Sequence, residues 1–509
     1  MFIDDDLKDL DQDIRRLERD EEYFESLPAM PENSKLAAVS KLYFLRMLSA
    51  TDAFEKLYSD SAKWESLLDE GSADVISGLG LPLPKEGLPD RWFGRRARRD
   101  CRVQRRALEE ALDGDFMPSL SLDAFCRHLQ LDQVEKRLLF FANLLHSENK
   151  KWFRCICTRI FAEVDDKGGY FLVASALELS VDEVKTALKP GGKLADTGLV
   201  GWSRHDYDHL SKKFDCVDGL PDAILDGECG PMEFLTKQCQ IAPPSATTLA
   251  DFDYLKKNTL LLKRLLSESL RRGSKGVNIL LYGSPGTGKT ELARALSAAV
   301  SSELWEVGWQ DEDGDPIEPS HRLGNFRVGQ AMLRGRKDAL LLFDEVEDVF
   351  PDVSMSFFGI RQRQESKTKA WFNQLLENNP VPTLWLSNGP DAIDGAHMRR
   401  FLYVLEVPPP PRRVRRAMLN KKLGTVGVPK VWLEQISADE RLVPGHIERA
   451  RRLIEHLGEL SPEEALHAAE QAFNNTLRAT GETGSLKGGE KILTRYRPEF
   501  LNAETDLGV

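Results

Sequence analysis

The sequence predicts an α/β protein in which a parallel sheet, covered on both faces by helices, follows a mainly α-helical half that includes a winged-helix-like segment. Three observations predict it. From residue 249 onward the short apolar runs NILLYG, ELWEVGW, ALLLFDE, PTLWLSN and FLYVLEV alternate with helical segments, as strands buried on both faces do. A glycine-rich turn joins the first of these runs to an amphipathic helix. Before residue 215 the apolar residues recur mostly at helical intervals.

Composition limits the choices further. A chain of 509 residues exceeds what one hydrophobic core organises, so two to four domains are expected. Its 41% hydrophobic and 29% charged residues are those of a globular protein. No run nears the roughly 18 apolar residues that cross a bilayer, and the acidic N-terminus lacks the basic-then-apolar order of a secretory signal. A cytoplasmic protein with no membrane contact is expected. Seven cysteines, all at or before Cys239, read as reduced buried thiols. The net charge of -12 excludes a protein that coats nucleic acid over its whole surface, while permitting a local basic patch.

In order along the chain, residues 1–117 read as a helical N-terminal region, with SKLAAVSKLYFLRMLSATDAFEKLY in helical register and GLGLPLPKEGLPD as a break. Residues 118–215 read as a second helical domain. Its FLVASALELSVDEVKTALKPGGKLADTGLVGW places two apolar-periodic segments around a turn and then a short apolar run, the order of a winged helix-turn-helix. Residues 216–248, rich in Gly and Pro, read as a linker. The α/β module is expected over 249–410, a helical subdomain over 411–475 and a flexible tail over 476–509. The final YRPEFLNAETDLGV reads as the start of further structure, so a shortened form of a longer chain is expected.

Chemistry concentrates in GSPGTGKT, residues Gly283, Ser284, Pro285, Gly286, Thr287, Gly288, Lys289 and Thr290, which fits G-x-x-x-x-G-K-[ST] between a strand-like run and a helix. The glycines let backbone N–H groups turn toward phosphates, and the helix N-terminus that carries Glu291 adds positive potential. Lys289 reaches the β and γ phosphates, and Thr290 holds Mg²⁺. LLLFDE ends a buried strand on two carboxylates. Asp344 is placed to hold the metal through water, and Glu345 to polarise the attacking water.

The set GSPGTGKT, LLLFDE, KAWFNQLLENNPVPTLWLSN and DAIDGAHMRRF, in that order, resembles the AAA+ ATPases, and the NQLLE segment with its following strand is similar to the AAA branch in the narrow sense. The resemblance covers about 249–460. It implies a P-loop NTPase with a five-stranded parallel sheet and a helical lid, ATP and Mg²⁺ as cofactors, and a homo-oligomer, most often a hexameric ring. It also implies that Asn388 is the polar sensor 1 residue that orients the water. Arg400, or Arg399 beside it, matches the arginine finger that enters the neighbouring subunit's site. In PGHIERARRL the sensor 2 spacing leaves Glu448 where some branches place arginine, with Arg449 as the substitute.

Rings that thread polypeptides carry an aromatic-aliphatic-glycine loop after the second strand. The aligned positions here read Arg322, Leu323, Gly324, and the aromatic is missing; Trp309 or Phe326 is the replacement, although an aromatic beside a strand is commonly core. No HExxH zinc site or nucleophile motif supports proteolysis in the same chain. The expected function is ATP-driven remodelling of a protein client. The alternative is a nucleic-acid partner, resting on RWFGRRARRDCRVQRR and the winged-helix-like segment. In that segment's candidate recognition helix, Asp182 and Glu183 against a single Lys185 would repel phosphates, which favours protein docking. A nucleotide switch that rarely hydrolyses ATP is disfavoured by the presence of Glu345 and Arg400.

Overall fold

A computed structural model describes residues 35–51, 79, 81, 90–112, 120–147, 151–161, 164–203, 209–217, 219–225, 227, 229–310, 315–317, 319–349, 372–389, 393 and 395–479. The helical reading of 1–34, most of the break at 78–90 and the tail over 480–509 lie outside them. The described chain forms two compact units, one drawn from 1–240 with 307–334, the other from 241–306 with 335–509.

In chain order the elements of the helical half are α1 (Lys35–Ala50), α2 (Asp90–Ala111), α3 (Leu120–Leu129), α4 (Gln133–His146), α5 (Lys151–Ile160), α6 (Asp166–Leu177), α7 (Val181–Leu188), α8 (Lys193–Thr197), β1 (Val200–Trp202), α9 (Leu210–Lys213), β2 (Phe214–Cys216), α10 (Leu220–Leu225), α11 (Pro231–Gln238) and β3 (Cys239–Ile241). There follow α12 (Lys256–Arg272), β4 (Asn278–Tyr282), α13 (Lys289–Ala299), β5 (Glu303–Val307), α14 (Pro319–Met332), β6 (Ala339–Phe343), β7 (Thr383–Ser387), α15 (Gly395–Met398) and β8 (Tyr403–Glu406). The last four are α16 (Arg412–Lys422), α17 (Lys430–Ile436), α18 (Pro444–Leu457) and α19 (Pro462–Ala479).

The first unit is built on aromatic side chains at helical spacing: Phe44, Phe125, Phe140, Phe141, Trp152 and Phe153 are buried. Its helix starts are fixed locally. Asp132 and Glu135 form a reciprocal capping box on α4, and Ser180 and Glu183 another on α7. α6 and α7 are joined through Glu178 in the left-handed region (φ 52°), and after α8 the strands β1 and β2 pair antiparallel. The described residues of 216–240, read from sequence as part of a linker over 216–248, are folded. α10 buries Leu220 and Ile224, and α11 buries Phe234, whose ring meets Phe125 at 5.8 Å. Glycine and proline there punctuate short elements whose apolar residues keep a helical spacing. Among the described residues of 216–248, the longest stretch without regular structure is 242–248.

The segment between β5 and β6 also differs from expectation. Arg322, Leu323 and Gly324 lie inside α14, not in a loop, and Phe326 is fully buried, whereas Trp309 is 57% exposed. The Trp309 carbonyl accepts the Ile317 N–H at 3.0 Å, next to a bridge between Gln310 and Pro316.

In the second unit five strands run parallel in the order β5-β6-β7-β4-β8, and β3 adds a sixth at the edge beside β5. One face of the sheet is closed by Leu262 and Leu266 of α12 and Leu292 and Leu296 of α13, over Ile279, Leu281, Leu384 and Leu405. On the other face Trp385 stacks on Phe343 at 5.1 Å and meets Phe401 edge-on at 6.2 Å. The helical subdomain has its own core, in which Trp432 stacks on Phe473 at 6.1 Å among Leu419, Leu433, Ile447 and Ile454.

A buried polar knot ties β4 to β7. The Asn278 amide donates to the Leu376 carbonyl (2.7 Å), and its Oδ1 accepts from Asn379 Nδ2 (2.9 Å) and Trp385 Nε1 (3.0 Å). Leaving a buried partner unmade costs about 1–3 kcal/mol. Asn278→Leu, close in volume, should therefore lower the unfolding free energy of this unit by about 3 kcal/mol, because it strands the Trp385 Nε1 donor and the Leu376 carbonyl and leaves Asn379 Nδ2 with Thr383 Oγ1 alone, without opening a cavity. Denaturant unfolding checks this, and an unchanged midpoint would show that the knot carries no stability.

Candidate functional site

Parallel strands deliver their carboxyl ends to one side of a sheet, where loops gather functional groups. Here β4 ends at Tyr282 and passes into Gly283–Gly288, β6 ends at Phe343 and passes into Asp344 and Glu345, and β7 ends at Ser387 and passes into Asn388. The Gly283 backbone (φ 151°) lies so close to Val407 that a Cβ would meet the Val407 carbonyl oxygen at 2.5 Å. Only glycine permits that turn.

Lys289, the first residue of α13, is buried, with its Nζ folded over the loop. It donates to the carbonyls of Gly283 (2.7 Å) and Ser284 (3.2 Å) and to Asn388 Oδ1 (3.0 Å). Burial pulls this ammonium below its usual range, while the carboxylates of Asp344 and Glu347 oppose the shift. Thr290 Oγ1 donates to Asp344 Oδ2 at 3.3 Å, and the other carboxylate oxygen accepts the Glu345 N–H at 2.9 Å. Glu345 itself is exposed and sits in the left-handed region at φ 53°, a conformation that non-glycine residues adopt at a cost of about 1–3 kcal/mol and that clusters at functional sites.

The remaining sequence-derived candidates divide. Thr287 Oγ1 donates to the Ser284 carbonyl and stiffens the loop around Pro285 and Gly286. Glu291 faces away from that work, its carboxylate accepting from Ser245 Oγ (3.1 Å) and Arg294 (3.0 Å). Arg400 follows α15 and forms an ion pair with Glu377, while Arg399 is exposed. Among the described contacts neither arginine reaches the loop of its own chain. Arg449 is exposed on α18. Its neighbour Glu448 is locked by Arg451, Lys422 and Arg452, and the first two hold its carboxyl down at about 2. Glu448 therefore braces α18 against α16.

Two contributors carry no sequence signature strong enough to isolate them. Glu347 Oε1 accepts the Asn388 N–H at 2.7 Å, fixing the end of β7; in sequence it is one of several acids in DEVED. Gly445, at the start of α18, donates its N–H to the Gly286 carbonyl at 2.9 Å. A Cβ on Gly445 would stand 3.0 Å from Gly286 Cα, so the helical subdomain meets the loop backbone to backbone.

The chemistry of these donors fits a nucleotide with a magnesium ion. Lys289 holds a buried positive charge over loop carbonyls, and Thr290 with Asp344 presents a hydroxyl and a carboxylate, the hard oxygens that Mg²⁺ takes together with water and phosphate. Among the described residues there is no group of three or more His, Cys, Asp or Glu side chains able to cage a metal by themselves. Nor is any described helix long and apolar enough to cross a membrane.

Comparison with known proteins is consistent with this geometry. Residues 279–409 match the family model described as "ATPase family associated with various cellular activities (AAA)". The chain is similar to spastin of Drosophila melanogaster, 28% identical over 167 residues, which cover 32% of this chain and 22% of that protein. Spastin of Anopheles gambiae is 28% identical over 167 residues, 32% of this chain and 20% of that one. The chain thus spans about a fifth of the length of these curated relatives. Among solved structures, a chain of the E. coli MS115-1 HORMA:CdnC:Trip13 complex aligns with TM-score 0.34 and 16% identity, covering 50% of this chain and 94% of that one. The FIGL-1 AAA domain in complex with ADP aligns with TM-score 0.33 and 15% identity, covering 48% and 92%.

Proposed function

Because residues 279–409 form an AAA ATPase domain, we propose that the chain hydrolyses ATP as one subunit of a homo-oligomeric ring and uses the energy to remodel a protein client. The observation that carries this reading is the convergence of Lys289, the Thr290–Asp344 pair, Glu345 and Asn388 at the carboxyl ends of β4, β6 and β7. In this reading the loop amides and Lys289 bind the phosphates, and Thr290 and Asp344 hold Mg²⁺, which supplies charge neutralisation. Glu345 takes the proton of the attacking water, and Asn388, oriented through Glu347, positions that water. Gly445 couples the lid to the loop, so that a change at the phosphates alters how α18 rests on it.

Arg400 completes the site from the next subunit, with Arg399 as its helper. Trp309, exposed on the segment between β5 and β6, is the aromatic left to contact a client, since Arg322 and Leu323 are committed to a helix. A site finished by a neighbour predicts that turnover per chain rises with concentration. Phosphate release measured across the range in which sedimentation detects assembly should increase steeply as rings form. A rate per chain that stays flat from monomer to oligomer would refute the shared site.

A further inference from the structure

The first unit carries a cationic surface that the ATPase reading leaves unused. α2 packs one face on α1: Ala97 and Cys101 are fully buried, Cys101 Sγ lies 3.3 Å from Ser49 Oγ, and Arg46 of α1 reaches Glu109. At about 100° per residue, Arg95, Arg99, Arg102 and Arg106 fall within roughly 60° of one another on the opposite face. All four are exposed, and among the described residues none pairs with a carboxylate. Two acids of the same helix are engaged elsewhere, Asp100 with Arg96 and Glu109 with Arg46 and Arg105, while the exposed Glu110 borders the stripe at its Arg106 end.

We infer that this stripe docks the phosphate backbone of a nucleic acid. The four arginines span about 16 Å along the helix axis. Over that length one strand of a duplex presents roughly five phosphates, so charge density and length match. Arginine binds phosphate oxygens bidentately and keeps its charge at every physiological pH. An acidic peptide offers the same sign of charge but must be ordered on a rigid row, at an entropic cost that a pre-stacked backbone largely avoids. With the overall charge at -12, the stripe is a local site and directs the polyanion to one helix. The contact reads backbone rather than bases. The acidic start of α7, where Glu183 is engaged in its capping box with Ser180, keeps that helix from sharing the task.

The test is fluorescence anisotropy of the full chain, without nucleotide, against a labelled oligonucleotide of about 20 residues, single-stranded and duplex, with oligoglutamate of equal length as competitor. Four phosphate contacts predict that affinity falls about 50- to 150-fold between 50 and 200 mM salt. Arg99→Gln with Arg102→Gln should reduce that fall to about 7- to 12-fold, and ATP turnover should stay unchanged. If that variant does not fold, Arg95→Gln with Arg106→Gln measures the same loss of slope. Absence of binding at 50 mM salt, a slope that neither pair alters, or displacement by oligoglutamate as effective as by unlabelled oligonucleotide would each overturn the inference. Because no nucleotide is present, these outcomes are independent of whether the ATPase reading stands.

Discussion

Glu345→Gln is expected to slow ATP turnover by about 10² to 10⁴, the usual contribution of a positioned general base, while leaving nucleotide affinity nearly intact. The drop corresponds to about 3 to 5 kcal/mol of transition-state stabilisation. The side chain is exposed, and glutamine keeps its shape. Neither the strained backbone at φ 53° nor the bond from the Glu345 N–H to Asp344 depends on the carboxylate. Binding should therefore survive where turnover does not. Asp344→Asn behaves differently, because Asp344 anchors Thr290 and faces Lys289, so nucleotide affinity itself should fall. Phosphate release and fluorescent-nucleotide binding, measured on both variants, separate the two roles. If Glu345→Gln turns over normally, another group takes the proton. A chain arrested with ATP bound is also the form in which a client would be retained.

What was legible in the sequence was whatever lies contiguously along it. GSPGTGKT and LLLFDE are each read in one window, because a strand, its turn and the next helix need only nearest neighbours, and the parallel sheet follows from the repetition of such windows. Residues acting across the fold were not legible. Glu347 gains its role only when β6 and β7 lie side by side and present the Asn388 N–H to it. Gly445 is an unremarkable helix start until α18 meets Gly286, more than 150 positions earlier in the chain. Asn278 reads as a polar flaw in a strand and is the centre of a knot tied to residues about 100 positions away.

Two local rules also lost to tertiary context. Glycine and proline mark 216–248 as a linker, yet within it Phe234, Leu235 and Cys239 bury completely and make folded structure the lower-energy outcome there. Arg322, Leu323 and Gly324 match a loop motif by position, but Phe326, Val328 and Met332 bury in α14 and draw them into the helix. The sixth strand, β3, has no sequence signal, because three residues carry too little periodicity.

Arg400→Ala is expected to lower turnover by about 10³ to 10⁵, the range for an arginine finger, equivalent to about 4 to 7 kcal/mol. The structure adds a constraint to that figure. Arg400 pairs with Glu377 of its own chain, and Phe401, packed on Trp385, fixes the backbone beside it. A guanidinium tied in this way is presented at a surface, not buried, with 43% of its side chain exposed, and an exposed ion pair costs little to exchange for a phosphate. Glu377→Gln should therefore change turnover far less than Arg400→Ala, and Arg399→Ala, which breaks no described contact, should resemble it. Mixing two inactive chains tests whether the arginine works across an interface. Arg400→Ala keeps its own Glu345 but offers no finger, whereas Glu345→Gln offers the finger but has no base. Where the second chain sits beside the first with its Arg400 toward the intact Glu345, the composite site is whole, so the mixture should recover a fraction of wild-type turnover that neither variant shows alone. A mixture that assembles and stays inactive would place Arg400 outside the neighbour's site and return it to the role of a surface ion pair with Glu377.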